Sequence, residues 1–341
     1  MNTDMPRTVQ EVRLASAPDG LPVPEDFALA DVPAPTAGAD EVLVRNLCFL
    51  VFPGLRTLIG GDTPGVPLPS LRAGQTLFGP AIGEVIEAPR GSDLRPGDLV
   101  QHLLGWREYA AVPGAGCVRL DGSLPDPAAY LAQGSAPYGA LTRLAEIRGG
   151  DVVLVTGAAG AVGTLAGQIA RLLGAARVIG TTGPAWKAER LKAELGYDEV
   201  ILRSDGNFAE RLEAAAPDGI DVLVDNVGGE QLAAAVQCAR RNARFALVGA
   251  LSGQLDEQGK GGCAPVRLDS FRIVNLGISV RGYSGLDHPD VESEWLEHFG
   301  SWLRAGRIRF PHEKLPGIAH AARALPDLIA GRYFGAAIVE V

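Results

Sequence analysis

Lysine is nearly absent from this chain, which has four lysines against 27 arginines in 341 residues. That imbalance speaks of coding composition and not of chemistry. Positive charge as a whole is also in deficit. Asp and Glu number 40 against 31 Lys and Arg, for a net charge of −9. Such a balance argues against nucleic acid or an anionic membrane surface as partner. No apolar run approaches the length of a membrane span, and Met1–Arg13 lack the apolar core of a leader peptide. Cysteine is scarce: Cys48, Cys117, Cys238 and Cys263 are scattered, without metal-ligand spacing. No disulfide framework is expected, and a reducing cytoplasm fits. Paired-carboxylate and Ser–His–Asp patterns are missing, as are repeats and low-complexity tracts. What remains is an ordinary globular composition, 47% apolar and 21% charged, long enough for two domains with cores.

The most informative segment is Asp151-Val152-Val153-Leu154-Val155-Thr156-Gly157-Ala158-Ala159-Gly160-Ala161-Val162-Gly163. Val152 to Val155 make an apolar run of strand length. From Ala161 to Leu173 apolar residues recur at helical spacing, and Gly174 stops them. A second strand, Arg177 to Thr181, follows one helix later. This is the βαβ unit of a dinucleotide site. Gly157 permits the tight turn, Gly160 lets backbone approach a pyrophosphate, and Gly163 lets the helix pack close to its strand. The helix start, Ala161 to Thr164, presents unpaired N–H groups and a positive dipole end to the phosphates.

A further absence selects the cofactor. An NAD site places Asp or Glu at the end of the second strand to hold the ribose 2′-hydroxyl. Here that position reads Thr181-Thr182-Gly183. The next ionisable residue is Lys187, and Arg203 closes the following strand. Each alone is an ordinary surface charge; together, with the acid missing, they fit a 2′-phosphate and favour NADPH over NADH.

Residues 1–125 are rich in Pro and Gly, with short strand-like runs at 41–47, 81–88 and 98–104, and read as a small irregular β domain. From Asp151 strands at 152–156, 177–181, 199–202, 221–225 and 244–248 alternate with helices near 161–173, 186–195, 208–215 and 230–239. That alternation predicts an α/β fold with a doubly wound parallel sheet. A strand near 279–281 adds to it, and a helix covers 292–305. The polar, glycine-rich stretch 253–265 reads as a loop. The expected division is 1–125, 126–306 and 307–341, the last segment holding a helix near 319–330 and an apolar strand, 335–341, that could return to the β domain.

Four segments, in order, carry a family resemblance: Gly105-Trp106-Arg107-Glu108-Tyr109, the Gly157–Gly163 turn, Asp225-Asn226-Val227-Gly228-Gly229, and Val248-Gly249-Ala250-Leu251-Ser252. With them the whole chain resembles the medium-chain dehydrogenase/reductase superfamily, a GroES-like domain joined to a Rossmann domain. It is most similar to the zinc-independent branch of leukotriene B4 12-hydroxydehydrogenase/prostaglandin reductase and NADPH-dependent alkenal double-bond reductases. The resemblance implies that Lys187 and Arg203 meet the 2′-phosphate, that Asn226 contacts the cofactor, and that Gly249, Ala250 and Ser252 line the nicotinamide side. It also implies a homodimer through the Rossmann sheet edge.

The departures from the family concern the metal and the substrate. Where zinc-dependent members present a Cys and a Gly-His-Glu segment, this chain has Phe49 to Phe52 and Phe78-Gly79-Pro80, and the structural-zinc cysteines are missing; no metal is expected. Where members read Asp-Pro-Tyr-Met-Arg, this chain reads Phe52-Pro53-Gly54-Leu55-Arg56, and Gly54 would widen a pocket. The usual proton-delivering tyrosine falls on Leu286, with Tyr283 three residues earlier, and a cofactor asparagine falls near Tyr333. Tyr283 and Tyr333 are the leading hydrogen-bond donors; Tyr109, Tyr138, Trp106 and the cofactor's ribose hydroxyl stand behind them. The expected activity is NADPH-dependent reduction of the activated C=C of an enone or enal, a bulky polyketide-like intermediate included, by hydride transfer to the β-carbon. Two alternatives stand beside it: an NADPH:quinone reductase, and a non-catalytic NADPH-binding sensor.

Overall fold

The computed structural model describes residues 5–61, 68–204, 206–258 and 261–341. The chain divides into two compact units, Met1–Leu131 with His312–Val341, and Ala132–Pro311. The cuts fall a few residues beyond those expected from sequence. At the first, the turn Pro127–Leu131 buries Ala128, Ala129, Tyr130 and Leu131 and stays with the first unit.

In the first unit β1 (Thr8–Leu14) and β2 (Phe27–Pro33) form an antiparallel pair. A seven-stranded sheet is built on β3 (Glu41–Val51), with β4 (Ala81–Glu87), β5 (Leu99–His102), β6 (Tyr109–Pro113) and β7 (Val118–Arg119). A short helix, α1 (Leu55–Ile59), follows β3 and is wholly buried. Numbering runs along the whole chain, so the returning elements of this unit are β14 (His312–Pro316), α10 (Ala321–Ile329) and β15 (Ala336–Glu340). β15 pairs antiparallel with β3 and parallel with β14. Its Ala337 and Val339 join Phe49, Val51, Leu58, Leu77 and Trp106 in one apolar core.

The second unit holds six parallel strands: β8 (Val152–Val155), β9 (Arg177–Thr182), β10 (Glu199–Leu202), β11 (Ile220–Asp225), β12 (Ala239–Leu247) and β13 (Ser279–Gly282). Their order is β10-β9-β8-β11-β12-β13. The direction of winding therefore reverses beside β8, and a nucleotide is held at the carboxyl ends of strands at such a switch point. Helices cover both faces, which is why the central strands are near-continuous apolar runs. They are α2 (Ser135–Gly139), α3 (Gly163–Leu172), α4 (Ala185–Leu195), α5 (Phe208–Ala215), α6 (Gly229–Gln237), α7 (Leu251–Gln254), α8 (Ser270–Leu276) and α9 (Val291–Arg304), and α2 runs on into a π turn at Ala140–Leu144.

α7 and α8 are among the elements that escape the sequence pattern. The expected loop 253–265 begins inside α7, and its Gly259 and Lys260 lie outside the described residues. α8 buries no residue, so it carries no helical periodicity of burial. Its ends are local instead: Asp269 accepts from the Arg272 N–H, and Gly277, at φ +62°, closes it in the left-handed conformation.

Candidate cofactor site

The turn after β8 is shaped by what its glycines exclude. Gly157 has φ +62°, and a Cβ on Gly163 would sit 2.4 Å from the Gly157 carbonyl oxygen. Both positions are therefore closed to side chains by the protein itself. Gly160 differs. It is exposed, and a Cβ there would meet only the Gly157 oxygen, at an ordinary 3.5 Å. Nothing among the described residues demands glycine at 160, and the space beside it is open. The N–H groups of Ala161, Val162 and Gly163 have no hydrogen-bond acceptor among the described residues. Orphaned donors at a helix N-terminus, beside exposed backbone, form an anion cradle. Thr164 takes no part on the open side: it is fully buried, and its hydroxyl donates to the Gly160 oxygen at 3.0 Å.

Residues distant in sequence hold this cradle. The Thr156 hydroxyl donates to the buried Asp225 carboxylate at 2.6 Å, which also accepts from the N–H groups of Val227 and Gly228. Asn226 donates from its amide nitrogen to the Thr156 carbonyl at 2.8 Å. The Thr181 hydroxyl accepts from the Gly157 N–H and donates to Gln231. Tyr197, buried, donates to the Gly163 carbonyl at 2.6 Å, and its ring fills the space that side chains on Gly167 and Gly180 would need. Loops after β8, β9 and β11 are thus tied together before any ligand arrives.

At the end of β9 the structure brings the two cations to the strand that lacks an acid. Arg203 follows β10; its N–H donates to the Thr182 oxygen at 2.9 Å, and its Nη2 lies 3.9 Å from the Cβ position of Gly183. Lys187 sits in the first turn of α4, only 5% exposed, with its ammonium 5.3 Å from the Trp186 ring centre. That turn contains no acidic residue. A buried cation at a helix N-terminus opposes the helix dipole, and a bound anion would offset that cost.

The loop after β12 lies against the β11 loop. Gly249 packs on Asn226, where a Cβ would meet the Asn226 oxygen at 2.9 Å. Ala250 leads into α7, and the Ser252 N–H donates to the Val227 oxygen. The Ser252 hydroxyl is buried against Gly228 and Gly229 without a partner among the described residues. Beside this loop lies a cavity of about 220 Å³, lined among others by Ser135, Val248, Tyr283, His288 and Glu292.

The two tyrosines separate here. Tyr283 lines the cavity, stacks on His288 at 5.6 Å between ring centres, and packs so closely on Gly139 that a Cβ there would lie 2.2 Å from its hydroxyl. Its hydroxyl has no hydrogen-bond partner among the described residues. Burial, and then the charge of Glu292, push its pKa up, so it keeps its proton at neutral pH. Tyr333, in the first unit, spends its hydroxyl on Asp327 at 3.4 Å, and burial with that carboxylate pushes its pKa up to about 12. Leu286 is 80% exposed and does not line the cavity.

The room expected at Gly54 is taken. A Cβ on Gly54 would lie 2.9 Å from the Phe52 ring, which itself fills the space. Val248, Thr156, Thr181 and Asp225 were missed as contributors; the Asp-Asn-Val-Gly-Gly segment was the signal that could have pointed to Asp225.

Comparison with known proteins agrees with this geometry. Residues 161–300 match the family model described as zinc-binding dehydrogenase, and residues 10–120 match that of the N-terminal domain of oxidoreductase. A protein of Bacillus subtilis (strain 168), YfmJ, provisionally named an NADP-dependent oxidoreductase, is 33% identical over 99% of both chains. The NADPH-dependent curcumin reductase of Escherichia coli (strain K12) is 28% identical, covering 96% of this chain and 95% of that one. The crystal structure of CurA from Vibrio vulnificus in complex with NADPH superposes with a TM-score of 0.87 at 27% identity, over 97% of this chain and 99% of that one. The chain belongs to the medium-chain dehydrogenase/reductase superfamily, in the branch that holds these NADPH-dependent reductases.

Proposed function

We propose that this protein reduces the activated C=C bond of an enone or enal with NADPH. That it is an NADPH-dependent oxidoreductase follows from its relatives. The observation that carries the finer reading is the unpartnered, protonated Tyr283 hydroxyl at a cavity beside Val248. When bound, NADPH supplies a hydride, which an enone accepts at the carbon β to its carbonyl.

The chain's residues do the rest. The N–H groups of Ala161, Val162 and Gly163 hold the pyrophosphate, and Lys187 and Arg203 hold the 2′-phosphate. The loop Gly249 to Ser252 and Asn226 bound the nicotinamide side. Tyr283 donates to the carbonyl oxygen and stabilises the enolate as charge develops there. Stereospecifically deuterated NADPH tests the reading: the label should reach the β-carbon of a conjugated enone, and the carbonyl should survive. Label at the carbonyl carbon would refute it.

Leu286 in place of the family tyrosine favours a second reading, quinone reduction, which needs less directed proton delivery. The bulky polyketide-like substrate suggested by Gly54 fits only if Phe52 moves away from it. We also propose a homodimer. The outer edge of β13 has no neighbouring strand among the described residues, and α8, just before it, exposes Phe271 and Val274 at 75% and 76%. Among the described residues no helix is long and apolar enough to cross a membrane.

A further inference from the structure

We infer that the indole N–H of Trp106 is a concealed hydrogen-bond donor for a ligand's carbonyl oxygen, uncovered when the Phe52 ring swings aside. The inference goes beyond the reading above and concerns a donor within the first unit alone.

The argument starts from backbone strain. Trp106 has φ +64°, a conformation that bulky L residues rarely adopt, and it is wholly buried. Such strain persists only where the surroundings enforce it. They do so here on both sides of the residue. The Trp106 carbonyl accepts from the Val12 N–H at 2.9 Å. The Asn46 amide donates to the carbonyls of Leu104 and Arg107, at 3.0 and 2.8 Å, and Arg107 donates to the Leu77 carbonyl at 3.0 Å.

The indole held in this way has nothing to bond. Its Nε1 is buried without a hydrogen-bond partner among the described residues. A buried donor of this kind is costly and needs an explanation. Its direction is given by Gly79. A Cβ on Gly79 would lie 3.5 Å from Nε1 and 3.2 Å from the Phe52 ring. The donor and the ring therefore border the same small space. On its other edge the Phe52 ring lies 2.9 Å from the Cβ position of Gly54.

Phe52 is thus accommodated by two glycines, at 54 and 79, and is itself only partly buried. At these two positions no side chain of residue 54 or 79 stands against the ring. Turning it away opens a path to an N–H already fixed in place. The ligand class follows from the group. An indole N–H donates and cannot accept, and its surroundings, Phe49 and Phe52, are apolar. A ketone or aldehyde oxygen on an apolar body satisfies both.

The experiment uses the indole resonances of the four tryptophans. In full-length protein labelled with 15N at tryptophan and saturated with NADP+, the Trp106 signal is the one lost in Trp106→Phe. Adding cyclohexanone, a ketone with no C=C bond to reduce, should move that signal saturably. Phe52→Leu should lower the half-saturating concentration. A Trp106 signal that ignores the ketone in both the wild type and Phe52→Leu would overturn the proposal, leaving only a buried water on Nε1. A Trp106 shift without NADPH oxidation by any enone would keep the donor and overturn the double-bond-reductase reading. Turnover without the shift would do the reverse.

Discussion

Lys187→Ala should convert a strong preference for NADPH into a weak one. The lysine is 5% exposed, stands in a helix turn without acids, and shares the end of β9 with Arg203. A charge-assisted hydrogen bond contributes about 1.5–3 kcal/mol, which corresponds to roughly 10- to 150-fold in affinity. Arg203 remains in the variant, so the loss should fall short of abolition. NADH lacks the 2′-phosphate and should bind the variant about as well as the wild type. Without cofactor the variant should remain folded, because alanine is a strong helix former within α4. Fluorescence titration with each nucleotide, together with thermal unfolding of the apoprotein, measures all three quantities. Equal loss of NADPH and NADH affinity would refute the reasoning, because the lysine would then support the fold and not the phosphate. An unchanged NADPH affinity would refute it as well.

Tyr283→Phe should lower turnover of an enone roughly 100-fold, whereas Tyr333→Phe, whose hydroxyl is already spent on Asp327, should change it little; steady-state rates of the two variants decide between them. Burial, and then the charge of Arg107, lower the His102 pKa to about 4, so the residue is neutral in the fold but protonates near 6.5 once unfolded. Its contribution is therefore fully present above about pH 6.5 and is lost as the pH falls toward 4. Urea unfolding should show about 2 kcal/mol less stability from this group at pH 5 than at pH 7.5, and His102→Gln should flatten that part of the profile. Phe271→Glu with Val274→Asp should yield monomers by light scattering while the wild type is dimeric; a monomeric wild type would remove the sheet-edge interface.

The parts of the site legible in sequence are those whose chemistry lies in a contiguous backbone. A strand, a glycine turn and a helix start are neighbours along the chain, so Gly157 to Gly163 could be read directly. The missing acid after Thr181 was legible for the same reason. What could not be read depends on side chains meeting across long separations. Thr156 finds Asp225, and Tyr197 finds Gly163, only once the sheet order is known. Phe52 illustrates a different limit. Its neighbour Gly54 implied empty space, but the direction of a ring is set by packing, and the ring lies in that space. The tyrosines could be ranked only after their hydroxyls were located, one free beside a cavity and the other committed to Asp327.

The pairing of β15 with β3 sets a timetable for synthesis. β3 is translated early, yet the strand that covers Phe49 to Val51 along one side, β15 from Ala336, arrives about 285 residues after Val51, behind the whole second unit. At ~5–20 residues per second the delay is roughly 15–60 s. Throughout it the first unit keeps an apolar strand edge unpaired, open to wrong partners, and before it ends the second unit has gained every strand of its sheet. The unit begun first is therefore finished last, and its exposure to aggregation lies in the interval on the ribosome and not in the finished protein.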